Sequence, residues 1–445
     1  MNNGTARTLA APLAVATVLR LTVWVAALER TGTRVLTAGD TASYLEPGRN
    51  LLLHGRFWTA GLPEIGRTPG YPLFLALVSG LGPAVASLAQ VAVSVLCVVL
   101  VWRLVRAMGA SERTAQGAAW LLAIESASTV YAARLLSETL FCAVLLLALE
   151  QMAGFVRTRE LRRVAWSGVW LAAAIFVRPV AYYLPAVWAV GLVVICWSDR
   201  RIRWKAPALF LLATVPWMAA WQVRNRVETG YTGFSSVAVR NLYFYSAAEV
   251  EARVEGVSFS QMQRSFGYPD EAAYRASHPE QTEWSEAAKL AFMQQEAGRT
   301  LRAHWPEALR TQLAGSVVVI FTPCAAELLE MLGEDSGAAP ARVVHSGPLR
   351  AAWQVARENP GNAVVMAAFE VWLLALYLLA VRELRRKRLQ VPLVALLLGT
   401  AFYFVAVSGG VQAVGRFRVP LMPMICVLAA TGLVREPSGE SGPRY

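Results

Sequence analysis

Two carboxylates and a set of arginines stand where apolar runs of this chain begin or end. Together they could move a proton and hold a departing anion. Asp40 lies a little beyond the first apolar run, in GDTASYLEPGRNLLLHGRFW. A carboxylate near a membrane face can take a proton from an incoming hydroxyl. Asp40 also opens a helical pattern, TASYLEPGRNLLL, and aspartate is a preferred helix N-cap, so both roles stand open. Arg67 precedes Thr68-Pro69-Gly70-Tyr71-Pro72, where the prolines hold it on a fixed turn. It suits two-pronged phosphate binding or anchoring to lipid headgroups. Ser137-Glu138 begins another apolar run, and an acid there complements a helix N-terminus. Glu138 is expected on the same face as Asp40 and Arg67. Arg178 at an Arg-Pro turn, and Arg416 and Arg418 of GRFRVP before the last run, add positive charge to that face.

Aromatic residues near these groups, among them Tyr44, Tyr71 and Trp221, could line a substrate pocket. Rim aromatics are also ordinary in membrane proteins. The four histidines lie far apart, with no HExxH spacing. The five cysteines are scattered singly and form no CxxC pair. No cofactor is certain: a divalent metal stays open, with no clear second carboxylate to support it. No Walker or GxGxxG motif is present, so no soluble nucleotide is expected.

What must position these residues is a set of membrane helices. The chain is 56% hydrophobic and only 16% charged, against about 25% charged in soluble domains. The net charge of +12 lies in short links between apolar runs, which argues for cytoplasmic loops and against a nucleic-acid partner. Spans are expected near 9–28, 84–105, 114–132, 137–156, 164–178, 180–197, 206–222, 361–381, 391–408 and 417–434, with a short apolar piece at 71–81. Four basic links, Arg103–Arg113, Arg157–Arg163, Asp199–Lys205 and Arg382–Arg388, belong inside by the positive-inside rule. The loop 29–70, the Arg134–Glu138 link and the Arg178 turn then lie outside. Residues 311–332 read as one more span, but the orientation of 361–381 conflicts with it, so a partial or re-entrant helix is expected there. The fold class is an all-α polytopic membrane protein of about 10–11 helices. The expected organisation is a membrane module over 1–222, an external helical subdomain over 223–310, a second membrane module over 311–435 and a disordered tail at 436–445.

The order of these features resembles the GT-C membrane glycosyltransferases, the group with the protein O-mannosyltransferase-like and aminoarabinose-transferase-like enzymes. The matching pieces are Asp40 with Tyr44 and Leu45, RTPGYPLFL from Arg67, SETLF from Ser137, Val177-Arg178-Pro179, Trp221 with Arg224-Asn225, and GRFRVP from Gly415. The resemblance implies a sugar donor carried on a polyprenyl phosphate in the outer leaflet of the cell membrane, with inversion at the anomeric carbon. It implies Asp40 as the base, with Glu138 as its candidate acidic partner, and Arg67, Arg178, Arg416 and Arg418 as phosphate ligands. One departure is plain: where several relatives carry a second acid, this chain has Arg67, and Glu64 is out of register. The implied partners are the lipid-linked donor and membrane lipids; the acceptor stays open. The competing readings are a transporter or flippase for a lipid-linked or amphipathic substrate, and a scaffold that binds a partner through 224–310. Internal repeats would favour the transporter, and none is evident.

Overall fold

The computed structural model of the chain describes residues 3–34, 36–37, 39–334, 353 and 356–434. The expected tail at 436–445, and most of the segment 338–358 considered for an extra crossing, lie outside them. The described chain is helical throughout save for one two-stranded hairpin, an all-α polytopic membrane protein. In chain order the helices of its first half are α1 (Asn3–Thr31), α2 (Thr41–His54), α3 (Gly70–Val78), α4 (Pro83–Ala107), α5 (Glu112–Ala123), α6 (Ser126–Ala133), α7 (Glu138–Thr158), α8 (Leu161–Val177), α9 (Leu184–Ile195) and α10 (Lys205–Thr229). Four short helices and a longer one follow: α11 (Ser236–Asn241), α12 (Ala248–Glu255), α13 (Phe259–Ser265), α14 (Glu271–Ser277) and then α15 (Glu286–Ala303). The last are α16 (Trp305–Phe321), α17 (Ala325–Met331), α18 (Pro360–Arg386), α19 (Val391–Ser408) and α20 (Met422–Leu433), with a 3-10 turn over Gly415–Leu421 feeding α20.

By length and composition, seven described helical segments could cross a membrane, or eight if a bent pair counts as one. The remaining apolar stretches form shorter helices, α3, α8 and α9 among them. The bent pair is α16 and α17, which meet at 64°, in the stretch where the charge pattern predicts a partial or re-entrant helix. The chain expected to span 114–132 differs: it breaks into α5 and α6. The cause is two buried charges. Arg20 of α1 is fully buried and donates to the Leu122 and Ala123 carbonyls at 3.2 and 2.8 Å, where a cation complements the C-terminal end of α5. Glu125 accepts from the backbone N–H of Ala127 and Ser128 at 2.9 and 2.6 Å, capping α6. An uninterrupted helix would take these backbone partners from both charges, leaving Arg20 only Ser94 Oγ and the Ala16 carbonyl, at 2.8 and 3.2 Å.

Among the candidate spans, α7 and the segment ending in α20 are the most enclosed, each with 78% of its apolar window buried. Helix α7 packs on α4 and α8, so Glu138 at its N-terminus and Arg178 at the end of the antiparallel α8 lie at one end of the molecule. The basic links after α4, α7 and α18 lie at the other.

Between α2 and α3 the chain makes a hairpin, β1 (Trp58–Thr59) with β2 (Leu62–Pro63), turned at Ala60 and Gly61, both at positive φ. That conformation matches a two-residue turn of the primed type. The hairpin is tied to the end of α10 by Arg224, which donates to the Phe57 and Glu64 carbonyls at 2.8 and 2.7 Å. Gly70 then brings the start of α3 against α8: a Cβ there would stand 2.7 Å from the Phe176 carbonyl oxygen and 2.8 Å from the Val177 nitrogen. These are backbone atoms and cannot swing aside. Gly70→Ala is therefore expected to lower stability by about 1–3 kcal/mol, read as a drop in unfolding temperature in detergent, and to shift Arg67 away from Asp40.

Candidate active site at the Asp40 end

Asp40 occupies the N-cap position of α2, yet its carboxylate makes no capping bond. It faces two guanidinium groups instead. Oδ1 accepts from Arg67 Nη2 at 2.9 Å and Oδ2 from Arg416 Nη2 at 3.1 Å. Burial, the largest single influence, raises the pKa of this carboxyl. The charges and hydrogen bonds of Arg67 and Arg416 together outweigh it and hold the group below its usual value of 3.8. Of the two roles the sequence left open, capping is the one this geometry discards.

Arg67 is aimed by its neighbours. Its Nε donates to Ser43 Oγ at 3.0 Å and its Nη1 to Tyr44 Oη at 3.1 Å, while the guanidinium lies 4.5 Å from the Tyr44 ring centre. Its backbone is held by Glu64, whose Oε1 accepts from the N–H of Gly66 and Arg67 at 2.6 and 2.9 Å. Glu64 Oε2 accepts from Thr59 Oγ1 at 2.8 Å. The acid that is out of register in the sequence thus shapes the Arg67 turn.

Glu138 is 1% exposed. Its Oε1 lies 2.5 Å from Arg178 Nη1 and 3.7 Å from Arg416 Nε, while Oε2 has no hydrogen-bond partner. Arg178 also donates to Ser137 Oγ at 3.1 Å. The five groups form one alternating line: Arg67, Asp40, Arg416, Glu138, Arg178. Three cations to two anions leave an excess positive charge, at a depth where charges interact more strongly than in water. A bound phosphate oxygen is a natural complement.

Arg418 does not join this line. Its side chain is 1% exposed and its Nη1 donates to the carbonyls of Val319, Ile320 and Thr322 at 3.2, 3.1 and 2.9 Å. These are the carbonyls released where α16 breaks. The reason is geometric. Residues two apart in a 3-10 turn of about three residues per turn point well apart, so Arg416 and Arg418 cannot share a face. Tyr44 stands in the site. Tyr71 backs it, edge-on at 4.9 Å, with its hydroxyl donating to Gln90 Oε1 at 2.8 Å. Trp221 belongs to a separate aromatic group with Phe57 and Phe176, and its Nε1 donates to the Phe234 carbonyl at 3.1 Å.

Sequence reasoning misses three groups. Ser43 and Ser137 position Arg67 and Arg178, and a lone serine carries no signal for that. Glu327 of α17 accepts from Tyr131 Oη at 2.6 Å, with its other oxygen buried and unpartnered. An acid beside a broken apolar helix was the signal. Among the described residues no three His, Cys, Asp or Glu side chains converge as a metal shell.

No protein family and no curated protein matches the sequence. Among solved structures, the chain is similar to the archaeal oligosaccharyltransferase AglB from Archaeoglobus fulgidus, in complex with an inhibitory peptide and a dolichol-phosphate. The TM-score is 0.53 at 14% identity, over 96% of this chain and 50% of that one. A looser likeness is to ArnT from Cupriavidus metallidurans in the apo state, with a TM-score of 0.37 at 15% identity over 94% and 77% of the two chains. The chain spans about half the length of the oligosaccharyltransferase. The chain therefore shares the fold of the aligned half of that oligosaccharyltransferase.

Proposed function

We propose that this chain transfers a sugar from a polyprenyl-phosphate donor to an acceptor hydroxyl at the outer rim of the cell membrane. The carrying observation is Asp40 held between Arg67 and Arg416 in a line with excess positive charge. The AglB structure of shared fold is itself a complex with a dolichol-phosphate, which supports a lipid phosphate as the ligand of such a line. The basic links lie at the opposite end from Asp40, which by the positive-inside rule supports a site on the outside. The expected modules, 1–222, 223–310 and 311–435, suit this reading, with the middle one over the site.

Asp40 Oδ accepts the proton of the acceptor hydroxyl as that oxygen attacks the anomeric carbon. The bond from that carbon to the phosphate oxygen breaks, its electron pair leaves with the lipid phosphate, and the anomeric configuration inverts. Arg67 and Arg416 stabilise the charge that develops on the phosphate, with Arg178 behind them. A carboxylate clasped by two guanidiniums is a weak base. The donor phosphate competes for those same guanidiniums, so its arrival loosens both ion pairs and raises the basicity of Asp40. Glu138 keeps Arg416 and Arg178 in place while this happens. Arg418 has no part in the transfer.

The test is a donor screen. Purified protein in proteoliposomes is incubated with polyprenyl-phosphate sugars and a mixed set of hydroxyl acceptors, and transferred mass is read by mass spectrometry. Transfer from at least one lipid-phosphate donor, with none from nucleotide sugars, is the expected result. Movement of the lipid-linked substrate across the bilayer with no transferred product would overturn the reading and install the transporter in its place.

A further inference from the structure

Arg67 meets Asp40 through its side chain, but its main chain is held by the three residues before it. Each of the three is gripped from a different side. The Glu64 carbonyl accepts from Arg224 of α10 at 2.7 Å. Ile65 is 6% exposed, and its side chain lies in an apolar cluster otherwise made by residues 231–297, with Tyr231, Val239, Tyr243 and Met293 among them. Its carbonyl accepts from the Ser236 N–H at 2.8 Å. The Gly66 carbonyl accepts from Ser235 Oγ at 2.5 Å. Ser235 stands at the N-cap of α11, yet its side chain makes no capping bond there. Its hydroxyl serves the Arg67 loop instead.

The Glu64 carboxylate closes the turn inside this frame. Oε1 gathers the N–H groups of Gly66 and Arg67 at 2.6 and 2.9 Å, and Thr59 Oγ1 holds Oε2 at 2.8 Å. Hydrogen bonds to an ionised acceptor are about twice as strong as neutral ones. Two of them on consecutive amides fix the direction in which the chain enters Arg67, and with it the direction of the Arg67 side chain. The turn has little slack: a Cβ on Gly66 would stand 3.0 Å from Glu64 Oε1 and 3.5 Å from Ser236 Oγ.

We infer that Glu64 is a positioning residue that aims Arg67, and that the segment over 231–297 is coupled to the Asp40 line through the residues on either side of that turn. This rests on the proposed transfer and deepens it. Glu64 acts on the donor phosphate only by way of Arg67, and Ser235 acts by way of Gly66.

Two measurements on the purified full chain test this. Hydrogen exchange at the Gly66 and Arg67 amides, without donor, reads the turn itself. Exchange should be faster in Glu64→Ala and near wild type in Glu64→Gln, whose amide oxygen can still accept from both N–H groups while its NH2 donates to Thr59. Undecaprenyl phosphate binding reads the consequence. Glu64→Ala should weaken it about tenfold, the equivalent of one hydrogen bond to the phosphate, and Glu64→Gln should restore it. In an Arg67→Ala background Glu64→Ala should cost nothing further, since coupled residues do not add. Ser235→Ala should shift exchange and binding in the same direction by a smaller factor, and it keeps the test open if Glu64→Ala does not fold. Unchanged exchange in the variants, or an equal loss of binding with and without Arg67, would overturn the assignment of Glu64. No effect of Ser235→Ala would overturn the coupling to 231–297. If wild type binds no undecaprenyl phosphate, the donor reading fails, and the exchange measurement still decides the role of Glu64.

Discussion

Asp40→Asn is expected to lower transfer by about 10²–10⁴-fold, the usual contribution of a positioned base, while leaving the protein folded. Asparagine matches aspartate in size and keeps an oxygen for Arg67 or Arg416, which now bond Oδ1 and Oδ2 at 2.9 and 3.1 Å. What it lacks is a charge and a free lone pair basic enough to take a proton. Donor binding should move the other way. The carboxylate competes with phosphate for both guanidiniums and repels it, so the neutral amide should bind undecaprenyl phosphate as tightly as wild type or more so. A titration of lipid phosphate beside a transfer assay separates the two effects. Loss of transfer together with loss of lipid-phosphate binding would mean that Asp40 only organises the arginines. Unchanged transfer would remove it from the chemistry.

The pH dependence of stability follows from the same ion pairs. The folded pKa of Asp40 is depressed below the usual 3.8. As pH falls, the unfolded chain therefore takes up this proton before the folded one does. The stabilisation from the Asp40 cluster is fully present above about pH 4. It is lost as pH falls through the lower, folded value. An unfolding series between neutral pH and about pH 3 should show a decline confined to the acid end, smaller in Asp40→Asn. In the proposed transfer, the free protein should show no acidic loss of activity from this group near neutrality.

The sequence marks the ends of apolar runs well, because a charge beside twenty apolar residues stands out. Asp40, Arg67, Glu138, Arg178 and Arg416 are all legible that way, and the structure brings these five into one line. Direction is what the sequence lacks. Arg416 and Arg418 look equivalent in GRFRVP, but a 3-10 turn sends one to Asp40 and the other to the carbonyls of the α16 break. Long-range partners are the second gap. The apolar run 114–132 reads as one helix because its breaker, Arg20, lies about a hundred residues earlier in the chain. The fold class needs only periodicity and hydropathy and was readable, whereas a site assembled from five separated turns is readable only as a set of candidates.

Arg416 carries the second large effect, because it is the cation shared by both acids. Asp40 Oδ2 is 3.1 Å from its Nη2 and Glu138 Oε1 is 3.7 Å from its Nε. Glu138 is almost wholly enclosed, with one oxygen already unpartnered. Arg416→Gln would leave two carboxylates facing each other across the gap, with Arg67 and Arg178 compensating only from the flanks. Breaking a buried pair from one side costs about 3–5 kcal/mol; Asp40 is about a third exposed, so the lower end is the figure to expect here. Unfolding temperature in detergent reads that loss. Arg416→Lys isolates the functional part. The ammonium restores the charge between the acids, so stability should return close to wild type. It cannot place two parallel N–H groups on a phosphate as the guanidinium does. Transfer in Arg416→Lys should still fall about 10²–10³-fold, the scale for removing one aimed donor from a developing oxyanion, with undecaprenyl phosphate binding weakened in step. Wild-type transfer in a stable Arg416→Lys protein would show that this position supplies charge to the fold and nothing to the leaving group, and the burden of the phosphate would pass to Arg67 and Arg178.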